Sequence, residues 1–340
     1  MADSNKHISK VLKASYNLDA EFVKGADKRL LALYRESLDE VQAKISKMYE
    51  KYGEGVTISD MKKKTTVRRN GKDYRITRLE KLEFEIKEQI TVLTRQTRNV
   101  TADTVKQVFK ENYNHVGYAV ESGLNIKSSF QALNPDVIRS SINNPVTAVQ
   151  WPKRIKTHAE VLNTQVSQSI TKGLIQGTGY KKQATQFRKA MRTEIKGSFE
   201  SYAGQIDTIV RTESHRAQSA GRLLGMDKTE AAAERLGLES TREWLPVGDS
   251  RTRKEHMAMK GQIAKEINGE MVFSFPSGGT TTAPGLSGIA KQDVNDRCTV
   301  TIKFPDLPAR YSTTDTDGNK IYHDYPDWGK KKKIDVGYKE

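Results

Sequence analysis

The densest run of chemistry-bearing side chains is Asp249-x-Arg251-Thr252-Arg253-x-x-His256. Two guanidinium groups beside an imidazole can bind phosphate, and a histidine titrating near neutrality can serve as a general base. The same run also reads structurally. Asp249 or Ser250 would cap a short helix, and the arginines would tie that helix to carboxylates or carbonyls of a sheet. No second acid–base residue stands at a diagnostic spacing, so these four residues are expected mainly to hold the C-terminal region together. A second run, Arg211-Thr212-Glu213-Ser214-His215-Arg216, offers two readings of its own. Glu213 could pair with His256 as a ribonuclease-like acid and base, or Arg211 and Glu213 could form a buried network joining helix to sheet.

Metal and nucleotide chemistry find less support. Cys298, His215, His256 and Asp249 could form a mixed metal set, but structural zinc sites present paired Cys/His ligands at short spacing. None occurs, so no metal is expected. Gly173 to Tyr180 lacks the Gly-Lys-Ser/Thr ending of a phosphate-binding loop. There is no Gly-x-Ser-x-Gly elbow and no His-Glu-x-x-His, and no cofactor is expected. The basic runs are candidates for sequence-independent DNA contact: Lys62, Lys63, Lys64, Arg68 and Arg69 in one segment, and Lys181, Lys182, Arg188 and Arg192 on one helix. Lys330 to Lys333 add a further cluster. No zinc finger, ribonucleoprotein motif or basic zipper provides specific readout.

The elements that must position these residues follow from periodicity. From Phe22 to Tyr52, apolar residues recur every three or four positions and predict a helix that Gly53 and Gly55 end. Asn70-Gly71 marks a turn. Ile76, Leu79, Leu82, Ile86, Ile90 and Leu93 then form a near-heptad stripe, and Val105 to Val116 continue helical spacing to about Gly117. After a weakly patterned stretch around 122–150, Ile155 to Leu174 predict a helix ending at Gly177-Thr178-Gly179. A basic helix at Lys181–Lys196 and another reaching Leu224 follow.

Beyond Gly237 the texture changes. Trp244 to Val247 reads as a strand, and a short helix runs from Asp249 to about Lys260, with Gly261 as its stop. Asn268-Gly269 between β-rich segments predicts a hairpin. Ser277 to Gly288 reads as a loop. Cys298 to Phe304 alternates strictly, which predicts a half-buried strand.

Composition sets the frame for these elements. The chain has 340 residues, 36% hydrophobic and 7% aromatic, and 57 basic against 42 acidic side chains give a net charge of +15. Such a chain favours a polyanionic partner. No stretch is apolar enough for a membrane span, no signal peptide opens it, and a single cysteine rules out an internal disulfide. The fold class expected is α+β, with an extended helical N-terminal half and a small C-terminal domain holding an antiparallel sheet. The expected division is 1–125 long helices, 126–237 a helical part, 238–308 a small sheet part, and 309–340 a polar basic tail.

The order of motifs supplies the remaining inference. Trp151 with Arg154-Ile155, the Gly177-Thr178-Gly179 break, and Arg211-Thr212-Glu213 leading to Ala217 and Gly221 come first. Trp244, the Asp249-to-His256 block, Gly261, Phe273 with Pro276, Pro284-Gly285 and Asn295-Asp296-Arg297-Cys298 follow. Over about residues 150–305 this resembles the tailed-phage minor head protein family, also called the Mu F-like head morphogenesis family. That family often carries Asn-Cys-Arg-Cys where Asp296 stands here, so no paired-thiol site is carried over. The resemblance implies a virion protein made in the host bacterial cytoplasm and carried inside the capsid near the portal. It would act in head assembly or genome delivery, with the portal protein and other head proteins as partners. Some relatives add a C-terminal toxin or nuclease domain. With about 35 residues after Phe304, no enzymatic activity is expected; the alternative is a phosphodiester-cleaving enzyme using His256 and Glu213.

Overall fold

The computed structural model describes residues 2–53, 55–143, 150–176, 181–308 and 310–337. The expected Gly177-Thr178-Gly179 break lies outside these, as do the side chains of Arg69, Lys181 and Lys182. The chain opens with α1 (Ala2–Tyr52) and α2 (Ile58–Met61), then a hairpin of β1 (Lys64–Arg69) and β2 (Lys72–Thr77). Next come α3 (Arg78–Leu124), α4 (Pro135–Asn143), α5 (Trp151–Gln176) and α6 (Lys181–Glu234). The C-terminal region holds β3 (Thr241–Leu245), α7 (Lys254–Ala258), β4 (Lys265–Ile267), β5 (Glu270–Ser274) and β6 (Thr280–Thr281). It closes with α8 (Ala290–Asp293), β7 (Thr299–Lys303) and α9 (Tyr325–Lys332). The class is α+β. In the C-terminal region β3 pairs antiparallel with β7, and β4-β5-β6 form a second antiparallel sheet.

The chain forms two compact units. One comprises Ala26–Thr101 and Trp151–Ile209; the other comprises Met1–Gly25, Ala102–Gln150 and Val210–Glu340. In the first, the stripes expected from spacing are buried: Val41 and Ile45 on α1, Ile86, Ile90 and Leu93 on α3, and Ile155, Leu162, Val166 and Ile170 on α5. Tyr34 meets Tyr202 of α6 edge-on, with ring centroids 5.6 Å apart. Burying such a stripe is what stabilises a helix whose other faces are charged.

The second unit packs α1, α3 and α6 against the C-terminal sheets, around Ile8, Leu12, Val116, Val120, Met226, Trp244, Phe273, Val300 and Ile302. Here α6 lies against the backbone of α3. A Cβ on Gly221 would stand 2.3 Å from the Phe109 carbonyl oxygen, so only glycine admits this approach.

Several elements differ from the sequence expectation. Ile76 belongs to β2, not to the following helix, because Asn70 and Gly71 (φ 47° and 74°) close a tight hairpin turn. The two expected helices between Lys181 and Leu224 are one, and α1 begins near the N-terminus. The β7 strand is buried on both faces: the Thr301 hydroxyl meets Ser9 at 3.3 Å, and the Thr299 hydroxyl accepts a hydrogen bond from Arg222.

The segment expected as a polar tail is packed. Tyr322, Tyr325 and Trp328 are buried with Tyr113 and Phe130. Two buried glutamates of α3 pin it: Trp328 Nε1 donates to Glu121 at 2.6 Å and Tyr325 OH to Glu111 at 2.7 Å. Lys332 pairs with Glu121 at 2.8 Å.

Candidate functional site

The Asp249-to-His256 block divides on folding, and its members do different things. Asp249 does not cap α7, whose N-cap is Arg253. Its carboxylate instead closes the turn before that helix, accepting from the Arg251 N–H at 3.1 Å and the Thr252 hydroxyl at 3.2 Å. Arg297 grips the same carboxylate with two bonds of 2.6 Å, and that pairing leads the forces holding Asp249 well below the usual carboxylate range. Arg251 points outward with 78% of its side chain exposed, so it ties nothing to the sheet. Arg253 reaches back to the Val294 carbonyl.

His256 is the buried member, only 1% exposed. Its ring stacks on Phe275 and meets Trp244 edge-on, with centroids 5.8 and 5.6 Å away. Both nitrogens are engaged. Nδ1 faces Asp296 Oδ1 at 3.1 Å and Cys298 Sγ at 3.3 Å, while Nε2 contacts Gln292 Oε1 at 2.9 Å. Gln292 in turn donates to Glu255, which also accepts from Ser277 at 3.0 Å. Burial pulls the His256 pKa down, but the hydrogen bond and charge of Asp296 outweigh it, and the net direction is up. Burial likewise works against ionised Asp296, yet the two histidines facing it hold its carboxyl well below the usual range. The Cys298 thiol is pushed up by burial and by Asp296.

The second cluster corrects another expectation. Arg211 is exposed, whereas Glu213 is buried and pairs with Arg216 at 3.5 Å. The neighbouring His215 stands 3.5 Å from Asp296 Oδ2. The Pro284-Gly285 loop closes over this ring: Gly285 has φ +77°, and a Cβ there would come within 2.9 Å of His215. Gly261, also at positive φ (77°), ends the α7 turn and donates its N–H to the Trp244 carbonyl at 3.1 Å. The carboxylate at the centre of the site is therefore Asp296, with Gln292 and His215 around it. Sequence spacing could not select Asp296; its one signal was standing where the resembled family often has cysteine. The mixed metal set is corrected accordingly, with Asp296 in place of the surface residue Asp249.

The candidate DNA contacts also separate. Lys62, Lys63, Lys64 and Arg68 are exposed, Lys63 pairing with Asp60 at 2.8 Å. On α6, by contrast, Arg192 donates to Ser46 at 2.6 Å, and the Arg188 guanidinium lies over the Tyr49 ring at 5.5 Å. Those two arginines knit α6 to α1. The hairpin adds Arg75, an exposed cation that composition and spacing did not single out, and Lys72, the last residue of the basic segment 62–72, is exposed as well.

Comparisons with known proteins bear on the whole chain. Residues 164–301 match the family described as Phage Mu protein F like protein. The minor head protein GP7 of Bacillus phage SPP1 is 28% identical over 314 residues, covering 91% of this chain and 93% of that protein. The NAD(+)–arginine ADP-ribosyltransferase EFV of Enterococcus faecalis is 26% identical over 330 residues, or 95% of this chain. This chain spans 59% of that protein's length. The expectation of no enzymatic activity is corrected here, since a relative aligned over almost the whole chain is named for a transferase. No solved structure matches. Among the described residues, no helix is long and apolar enough to cross a membrane. Residues 164–301 thus match the family that the ordered motifs resemble, and the SPP1 relative aligned over most of the chain is named a minor head protein.

Proposed function

We propose that this chain is a structural protein of the phage head, held inside the capsid near the portal among other head proteins. There it contacts packaged DNA without reading its sequence and acts in head morphogenesis or genome delivery. Similarity to the SPP1 minor head protein supports the head role. One observation carries the DNA contact: the β1–β2 hairpin is a short ribbon whose one face presents Lys64, Arg68 and Arg75, all exposed. Lys72 stands beside its turn, and the opposite face carries the half-buried Val67 and Ile76. A two-stranded ribbon with cations along one face suits a phosphate backbone, and such contacts give affinity without sequence information.

The test is duplex DNA binding by the full chain across a salt series. Log affinity should fall linearly with log salt. Replacing Lys64, Arg68, Lys72 and Arg75 by alanine should flatten the slope by about 0.9 for each phosphate that is no longer neutralised. Undetectable binding at low salt, or an unchanged slope in the fourfold variant, refutes the DNA contact. Heads assembled without portal protein test placement, since they should lack this chain.

The Enterococcus relative suggests a second assay, ADP-ribosyl transfer from NAD+ to an arginine acceptor. A nuclease built on His256 and Glu213 gains no support from the geometry. That imidazole is sealed from solvent with both nitrogens engaged, so a phosphodiester does not reach it.

A further inference from the structure

Two imidazoles converge on the carboxylate of Asp296, and the hydrogen bonds around them are incomplete. Gln292 holds its amide N–H on Glu255, which leaves Oε1 facing His256 Nε2 at 2.9 Å. Nε2 therefore carries the ring proton. A ring that ligates a metal would then present the Nδ1 lone pair, which lies 3.1 Å from a carboxylate oxygen and 3.3 Å from Cys298 Sγ. In the metal-free chain a proton fills that gap and pairs His256 with Asp296, and a metal ion would take its place. On the other side of the carboxylate, Asp296 Oδ2 and His215 Nε2 are both buried and make no hydrogen bond, although they face each other at 3.5 Å. Buried polar atoms without partners are few in native proteins, and each one needs an explanation such as an ion or ordered water.

We propose that His256, Asp296 and Cys298, with His215 poised as a fourth ligand, bind one zinc ion. The donor atoms of the first three lie within 4.8 Å of one another. Tetrahedral zinc, with bonds of about 2.0–2.3 Å, sets its ligand atoms roughly 3.3–3.6 Å apart, close to the separations seen. A set of nitrogen, sulfur and one carboxylate selects zinc over magnesium or calcium. The supporting contacts fit as well: a ligating histidine characteristically donates its second N–H to a fixed acceptor, which Gln292 supplies. On binding, Cys298 enters as thiolate and its proton passes to solvent. All four side chains are buried, so the ion has no position open to substrate and its role is structural. It joins α6 through His215, α7 through His256 and the turn before β7, where Asn295 at φ +54° aims Asp296 inward.

The full chain offers a specific readout, because Cys298 is its single cysteine. Metal analysis of protein purified without chelator should find about one zinc per chain. Cobalt added to the metal-free chain should give a sulfur-to-cobalt charge-transfer band together with tetrahedral visible bands. The charge-transfer band should vanish in Cys298→Ser. Gln292→Leu, which leaves every ligand in place, should weaken zinc about 10–100-fold. A folded wild-type chain that binds no zinc and shows no cobalt–thiolate band overturns the proposal. So does a Cys298→Ser chain that binds zinc as tightly as wild type.

Discussion

Arg222 is 1% exposed and sits where α1, α3, α6 and β7 meet. Its Nε donates to Asn112 Oδ1 at 2.9 Å, and its two terminal nitrogens reach the Leu12 and Val300 carbonyls and the Ser15 and Thr299 hydroxyls. Asn112 relays to the buried carboxylate of Asp19 at 2.7 Å. Burial outweighs the Arg222 charge and raises the pKa of Asp19 to about 8, so this carboxyl is mostly protonated at pH 7. In Arg222→Ala, two or three of these five acceptors are left without a replacement donor, at about 1–3 kcal/mol each. The sum is about 4–6 kcal/mol. In a unit of about 200 residues, about 1 kcal/mol moves Tm by about 2–4 °C, so a fall of roughly 10–20 °C is expected by calorimetry at pH 7. Arg222→Lys keeps the charge but loses the planar fork, and should cost about half as much. A Tm for Arg222→Ala within about 3 °C of wild type refutes the reasoning.

Other substitutions separate the parts of this architecture. Gly221→Ala should destabilise by about 1–3 kcal/mol, because its Cβ meets the Phe109 backbone and α6 must move. Gly204→Ala on the same helix meets nothing within 4 Å and should stabilise by up to about 1 kcal/mol; urea midpoints of the pair decide this. Burial, aided by the nearby Arg222 charge, lowers the His115 pKa from 6.5 to about 4. The unfolded chain then binds the extra proton, so stability present above pH 6.5 is lost as pH falls toward 4. That loss is roughly 2–3 kcal/mol by pH 4.5, and it should be missing from the pH profile of His115→Gln. Arg251→Ala should leave Tm unchanged, whereas His256→Gln should lower it.

The legible elements were those whose burial is apolar. The stripes from Ile155 to Leu174 and from Leu82 to Leu93 appear as read, and Asn268-Gly269 makes its hairpin with both residues at positive φ. The start of α1 escaped for a physical reason. Its inward face runs Ser4, Ile8, Leu12, Ser15 and Asp19, all buried at helical spacing, but only two of the five are apolar. Ser15 meets Arg222, and Asp19 Oδ1 accepts from Asn112. The β1–β2 hairpin carries the same Asn-Gly signal as the one at Asn268-Gly269, but its flanks are basic and Val67, Tyr74 and Ile76 are their only apolar residues.

Charge misled for a related reason. A cation in sequence carries no mark of whether it faces water, and +15 overall invites assigning every basic run to one polyanion. Folding sorts the runs. Arg188 and Arg192 lie against Tyr49 and Ser46, Lys332 pairs with a buried glutamate, and Arg222, which belonged to no run, is the most deeply buried cation among the described residues. The hairpin keeps its cations at the surface because its strands need only one face for packing. Its register then sets Lys64, Arg68 and Arg75 together on the other. The Asp249-to-His256 block is sorted in the same way. Its outward residues carry charge to solvent, while His256 turns inward to meet a carboxylate 40 residues further along the chain. That meeting depends on β3 pairing with β7, a contact no local spacing encodes.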